Sequence, residues 1–249
     1  MNNILLLNKK DNISSFQFIK QYKFLNDQGL KFLPYLLNKE KEYIFELTLG
    51  TQTDTGDYTG SIIKSCATKE LNIEDINNVL NNFLYITTQV PNKFSAIKVN
   101  GERAYNLARQ NIDFKLEERK IKVSYLELMS YTDNKITIKA VVSPGTYIRT
   151  LAEDIALKLD TCGHLTKLHR TSSNGFTLST DEEIVNLNHL NTLFPSIICS
   201  SSEIQKLKNG LRISFDKPDG LHVVNDSNLN FFGIIMIKNY TAFIKRMLL

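Results

Sequence analysis

The sequence predicts a mixed α/β fold with a small all-β module at its C-terminal end. Three observations point there: segments in which apolar residues alternate, segments in which they recur at helical spacing, and a change of texture past residue 190. ILLLN at 4–8 reads as a buried strand, with Ser14 and Ser15 placed to cap a following helix. In the next strand Tyr43, Phe45, Leu47 and Leu49 alternate with Ile44, Glu46 and Thr48, the period of a half-buried strand. Tyr43 therefore shares the apolar face. Residues 72–84 place Ile73, Ile76, Leu80 and Phe83 at helical spacing, with Asn72 and Asp75 set for a capping box. KITIKAVV at 135–142 alternates again, and SPG at 143–145 breaks it. Leu151, Ile155 and Leu159 then recur every four residues. Tyr147 and Arg149 thus fall at a strand-to-helix junction, where side chains are readily presented for chemistry. Past residue 190 come a short capped helix and the apolar runs RISF, LHVV, FFGIIMI and YTAFI, broken by DKPDG and NDSN. The expected division is a core over 1–190 and a β module over 191–249.

Composition narrows the function classes. At 249 residues the chain holds one large domain, or a large and a small one. An apolar content of 42% and a charged content of 22% are those of an ordinary globular protein. No apolar run approaches the roughly 20 residues needed to span a bilayer, and ILLL is too short for a signal-peptide core. A cytoplasmic protein with no membrane partner is expected. Cys66, Cys162 and Cys199 are odd in number, distant in sequence and without a CxxC pair, so reduced thiols are expected. The four histidines show no zinc spacing, and no metal is expected. A net charge of +4 permits a polyanionic partner without requiring one.

Several ordered motifs carry a resemblance. Residues 3–15 (NILLLNKKDNISS), 41–60 (KEYIFELTLGTQTDTGDYTG), 91–109 (PNKFSAIKVNGERAYNLAR), 143–150 (SPGTYIRT) and 164–176 (HLTKLHRTSSNGF) resemble, in order, motifs of the bacterial tRNA pseudouridine-55 synthases of the TruB type. The phrase SxxEIQKLKNGxRI, followed by FFGII, resembles the PUA-like tail of the same family. The resemblance implies a pseudouridine synthase core with a mixed, largely antiparallel sheet and a PUA-like RNA-binding module. It implies cofactor-free isomerisation of uridine to pseudouridine at position 55, in the T-arm of tRNA; from the chain's size a monomer is expected.

Residue by residue, the resemblance implies that Tyr43 stacks on the flipped uracil and assists removal of the C5 proton. Arg149 matches the arginine that pairs with the catalytic aspartate, as guanidinium forks suit carboxylates. Tyr147 matches a residue that contacts the bound nucleotide. Leu168 matches the apolar residue under the uracil, and Arg170 a second arginine of the site. Lys9, Lys98, Arg103 and Arg109 are the expected RNA contacts. Residues 93–122 carry eight basic side chains and four acidic ones. That excess suits a phosphate backbone, and it equally suits a solvated face.

The chain departs from the family at one decisive place. Residues 16–40 (FQFIKQYKFLNDQGLKFLPYLLNKE) lack the GHTGTLDPxATG-type loop, whose aspartate is the family's catalytic residue. Asp54 and Asp57 match turn positions of the family, and neither Asp11 nor Asp27 lies in a TLDP-like context. With that aspartate gone, Arg149 is expected to be an unpaired cation at a pocket floor. Phe94 stands at a family tyrosine, and His169 at a family arginine. Two readings follow: a tRNA pseudouridine synthase, or a catalytically inactive tRNA-binding or tRNA-folding protein on the same scaffold.

Overall fold

The computed structural model describes residues 3–7, 32–36, 39–84, 88–177 and 182–248. The expected contact Lys9 and the cap at Ser14–Ser15 lie outside the described residues. Contacts group the chain into two compact units, 38–177 and 1–37 together with 178–249.

In the unit 38–177, period-two patterning forms a five-stranded antiparallel sheet. Its order is Phe176–Thr177, Gly163–Ser173, Lys41–Leu49, Lys135–Val142 and Val123–Thr132. The register sets Phe45 opposite Ile138, and Leu47 opposite Ile136. All four are buried, on one face with Leu49, Ala140 and Val142. The other face is polar. Glu46 accepts from Thr166 and Lys167 there, and Glu42 from Thr171. Alternation thus divides each strand between core and solvent.

Helices Ile73–Phe83 and Ile148–Lys158 supply the second layer. Asn72 caps the first, its side chain accepting from the Asp75 amide at 2.7 Å. Ile76, Leu80 and Phe83 are buried as their spacing predicts, whereas Ile73 is 64% exposed. Ile73 is the first helical residue, before the turn that meets the sheet. At Gly163 the layers approach closely. A Cβ there would lie 2.7 Å from Leu47 Cδ1 and 2.8 Å from Ala156 Cβ. Helix Ile148–Lys158 therefore covers the face that carries Leu47.

The thiol expectation is corrected for two of the three cysteines. Cys66 and Cys162 form a disulfide across 96 residues of sequence, with Cα atoms 5.7 Å apart. Backbone pairing brings them together. The Cys66 amide donates to Gly50 O at 2.8 Å, and the Gly50 amide to Cys162 O at 2.7 Å. Thr161 Oγ1 adds a bond to Ala67 O. Cys199 is a free, buried thiol, pushed by burial to about 11.

In the other unit, strand Asn3–Leu7 pairs antiparallel with Glu182–Asn186. Strands Ser196–Ile198, Gly220–Asn225, Phe231–Lys238, Thr241–Met247 and Ile213–Ser214 form a second five-stranded sheet. Only its pairing of Ser196–Ile198 with Gly220–Asn225 is parallel. Helix Ser201–Lys208 opens with a complete capping box between Ser200 and Glu203. The β segments expected past residue 190 are all present. Among the described residues no helix is long and apolar enough to cross a membrane, and no cluster of three metal-ligating side chains occurs.

Candidate active site

Strand register gathers three of the expected site residues. Arg170 lies opposite Tyr43, and Leu168 opposite Phe45, so all share the apolar face of the sheet. Phe45 is covered, but Leu168 is 47% exposed and Tyr43 is half-buried against the core. An exposed leucine beside an amphipathic aromatic, at the open end of a core face, is a platform for a flat apolar ring. Bulges between Leu165 and Lys167, and between Arg170 and Ser172, re-aim side chains along this edge. Lys41 sits on the same face two residues before Tyr43. Burial, and then the charge of Arg170, lower its pKa. An open cavity of about 500 Å³ adjoins this end of the strand, lined in part by Lys41, Glu42, Val141 and Ser172.

Arg149 occupies the first turn of helix Ile148–Lys158. Buried Gln89 fixes that turn by clamping the backbone of Tyr147. Its Oε1 accepts from Tyr147 N at 2.9 Å, and its Nε2 donates to Tyr147 O at 3.2 Å. Tyr147 itself is half-buried at the N-cap.

The unpaired cation expected at Arg149 is not what the structure shows. Arg149 Nη1 donates to Asp57 Oδ2 at 3.1 Å and to Thr55 O at 2.9 Å, and Nη2 donates to Phe94 O at 2.9 Å. Side-chain exposure is only 24% for Arg149 and 22% for Asp57. Asp57 Oδ1 in turn accepts from Thr55 Oγ1, Thr59 N and Thr59 Oγ1. Burial pushes the Asp57 carboxyl up, but the bonds from Thr59 and Thr55 and the charge of Arg149 outweigh it. Asp57 is therefore held below the usual aspartate range and ionised at neutral pH.

Three residues of this centre carried no functional reading in the sequence: Gln89, Asn92 and Glu153. Glu153 stands one turn beyond Arg149. It accepts from Gln52 Nε2 at 3.3 Å, and its Oε2 and Asn92 Nδ2 both lie against Gly56. Burial raises its pKa, partly offset by the bond from Gln52. Asn92 Nδ2 reaches Asp54 O at 3.4 Å, and its Oδ1 accepts from Phe94 N at 2.9 Å. Gly56 (φ +74°) passes tightly over the pair, since a Cβ there would lie 3.0 Å from Glu153 Oε2.

The neighbouring Asp154 is pushed by burial up to about 6. A carboxyl raised in the folded state binds its proton more tightly there than in the unfolded chain. The stability it contributes is full below the ordinary value of 3.8 and is lost as pH rises through about 6. Asp154→Asn is therefore expected to raise stability at neutral pH by about 1–2 kcal/mol, after allowing for solvent screening. It should also flatten the fall in stability between pH 4 and pH 7. Urea melts at the two ends of that range check both.

The expected RNA contacts Lys98, Arg103 and Arg109 are all exposed. Lys98 and Arg103 are cross-strand partners in a short hairpin, and Arg109 lies over the Tyr105 ring. Like charges set opposite one another repel. Lys93, in the same segment, is paired with Asp113.

Comparison with known proteins bears on this arrangement. The family model described as TruB family pseudouridylate synthase (N terminal domain) matches residues 24–148. The tRNA pseudouridylate synthase B C-terminal domain matches residues 149–201. A tRNA pseudouridine synthase B of Mycoplasma mobile is 36% identical over 264 residues, covering 94% of this chain and 92% of that protein. That alignment is longer than the 249 residues here, so the relative carries residues with no counterpart in this chain. A second, from Francisella tularensis, is 34% identical, covering 88% of this chain and 78% of its own length. Among solved structures, the fold is shared with a Cbf5–Nop10–Gar1 complex at TM-score 0.63 and 16% identity, over 88% of this chain and 70% of that one. It is also shared with an H/ACA RNP bound to a substrate RNA containing 2′-deoxyuridine, at TM-score 0.61 and 15% identity, over 89% and 70%.

Proposed function

This chain belongs to the TruB family of pseudouridylate synthases, and we propose that it isomerises uridine to pseudouridine in tRNA, at position 55 of the T-arm, as a monomer. The observation that carries the reading is the convergence of Tyr43, Leu168 and Arg170 at the open end of one sheet face.

The reaction breaks the N1–C1′ bond, turns the uracil and rejoins it through C5, with the C5 proton passing to solvent and a proton taken up from solvent at N1. No electron transfer occurs. The uridine must leave the stack, and apolar and aromatic groups must replace its stacking partners. Tyr43 and Leu168 supply those surfaces. The Tyr43 hydroxyl assists departure of the C5 proton, while Tyr147 and Arg170 contact the nucleotide. The GHTGTLDP-type loop is absent, and the carboxylate set on Arg149 is Asp57. We assign Asp57 the role of holding Arg149 in orientation, because both of its oxygens are engaged, by Arg149, Thr55 and Thr59.

The paired cations Lys98 and Arg103, with Arg109, take the RNA backbone, and a polyanion relieves their mutual repulsion. Residues 191–249 act as the PUA-like RNA-binding module. A titration of the full chain with tRNA at two salt concentrations tests the reading. Alanine at Lys98, Arg103 or Arg109 should each reduce the salt slope by about one. Binding that ignores salt, or tRNA affinity unmoved by Tyr43→Ala, Tyr147→Ala and Arg149→Ala together, would sink it.

A further inference from the structure

We infer that Lys41 and Arg170 together bind a phosphate of the RNA beside the Tyr43 platform. The inference rests on the functional reading above and deepens it, from where the base is stacked to how its backbone is held.

Lys41 breaks the pattern of its own strand. Tyr43, Phe45, Leu47 and Leu49 mark the apolar face of Lys41–Leu49, and the next position outward on that face is a lysine. Register sets Lys41 opposite Val142 on one neighbouring strand and opposite Ser173 on the other. Val142 is buried, whereas Lys41 is half-buried. A lysine occupies such a place by laying its stem on apolar surface and carrying the ammonium to the open end. That end is two residues from Tyr43, about 7 Å along the strand.

A second cation stands beside the first. Arg170 lies opposite Tyr43, so Lys41 is its diagonal neighbour on the same face, a spacing that long side chains span. Like charges so placed repel unless an anion lies between them. Among the described residues neither Lys41 nor Arg170 has an ion pair or a side-chain hydrogen bond. The two acids that flank Lys41 in sequence are engaged elsewhere. Glu40 meets Lys122 and Ser124, and Glu42 meets Lys139 and Thr171. Burial, and then the charge of Arg170, make Lys41 release its proton more readily than a free lysine. A bound anion cancels that repulsion, and the open cavity of about 500 Å³ beside Lys41 has room for one.

The anion is a phosphate diester of the substrate, because the pair flanks the surface on which the base lies. A base stacked on Tyr43 brings its own backbone to the next row of side chains. Ammonium and guanidinium are the groups that hold such phosphates in register.

The test uses the full chain and a synthetic RNA stem-loop that carries the target uridine. Lys41→Met keeps the stem and removes the charge. It should lower affinity by about tenfold, the scale of one hydrogen bond to a charged group, and reduce the salt slope by about one. In the free protein it should raise the melting temperature, since one of two repelling charges is gone. A purely structural lysine would show the reverse, a lower melting temperature with affinity unchanged. Methylphosphonate linkages, neutral where the diester is charged, are then set in turn on the 5′ and 3′ sides of the target uridine. At one of them the penalty of Lys41→Met should vanish, and that of Arg170→Met should vanish at the same linkage. Should Lys41→Met fail to fold, Lys41→Gln is read in the same way. A penalty that survives at both linkages, as a site for free phosphate would give, would overturn the inference. So would the absence of any penalty while wild type binds the stem-loop and Tyr43→Ala does not; in both cases the functional reading stands. Wild type that fails to bind the stem-loop would overturn the functional reading and the phosphate site with it.

Discussion

Arg149→Ala is expected to abolish most turnover and to weaken the fold at once. The side chain satisfies Thr55 O, Phe94 O and the Asp57 carboxylate, all in a centre with little solvent. Truncation leaves two carbonyls and one charge without their partner. Each buried polar group left unmade costs about 1–3 kcal/mol, and an orphaned charge more. Partial exposure moderates this, so a net loss of about 3 kcal/mol is expected in urea melts. Turnover should fall by about 10²–10³-fold, the range for deleting a fixed electrostatic group. Arg149→Lys should recover part of the stability and little of the rate. A single ammonium cannot bridge Asp57 and Phe94 O as the planar fork does. Asp57→Asn should resemble Arg149→Ala in rate, and the double variant should be little worse than either, because paired groups act as a unit.

Tyr43 separates into two effects. Tyr43→Phe keeps the ring on the sheet face and removes only the hydroxyl. Affinity for tRNA should stay within about twofold, while release of the C5 proton slows by about 10²–10⁴-fold, as for loss of a proton-transfer group. Tyr43→Ala removes the stacking surface as well, costing a further 1–3 kcal/mol or so in binding. Single-turnover kinetics and filter binding on the same preparations distinguish them. Equal rates for wild type and Tyr43→Phe would leave Tyr43 as a platform alone.

The architecture was legible wherever pattern follows from local geometry. Alternation marked Lys41–Leu49 and Lys135–Val142, because each strand divides its residues between a covered and an open face. Helical spacing marked Ile73–Phe83 and Ile148–Lys158. Ile73 misled, since periodicity cannot tell which residue of the first turn meets a neighbour. What pattern does not carry is pairing over distance. Asp57 and Arg149 are 92 residues apart, and Asp57 sits in a glycine-bearing turn where aspartate is commonplace. Cys66 and Cys162 are separated by 96 residues and meet where Gly50 hydrogen-bonds to the backbone of both. Glu153 and Asn92 gave no sign, one occupying an ordinary helix position and the other a loop.

At the candidate site the motifs gave the residues and the structure gave their company. Tyr43, Leu168 and Arg170 come from three places in two motifs, and register alone puts them on one face. The missing loop was visible in the sequence, but its consequence for Arg149 was not. A guanidinium with three acceptors is a built feature of this chain, held by turns that lie outside the absent segment.

The most direct measurement is release of C5 tritium from uridine-labelled tRNA by the purified 249-residue chain, beside Asp57→Asn and beside a version carrying a GHTGTLDP-type loop. Release by the chain itself, lost in Asp57→Asn, is the predicted result. No release from the chain, with tRNA bound tightly and activity appearing only when the loop is restored, would contradict it and leave tRNA binding as the function of this scaffold.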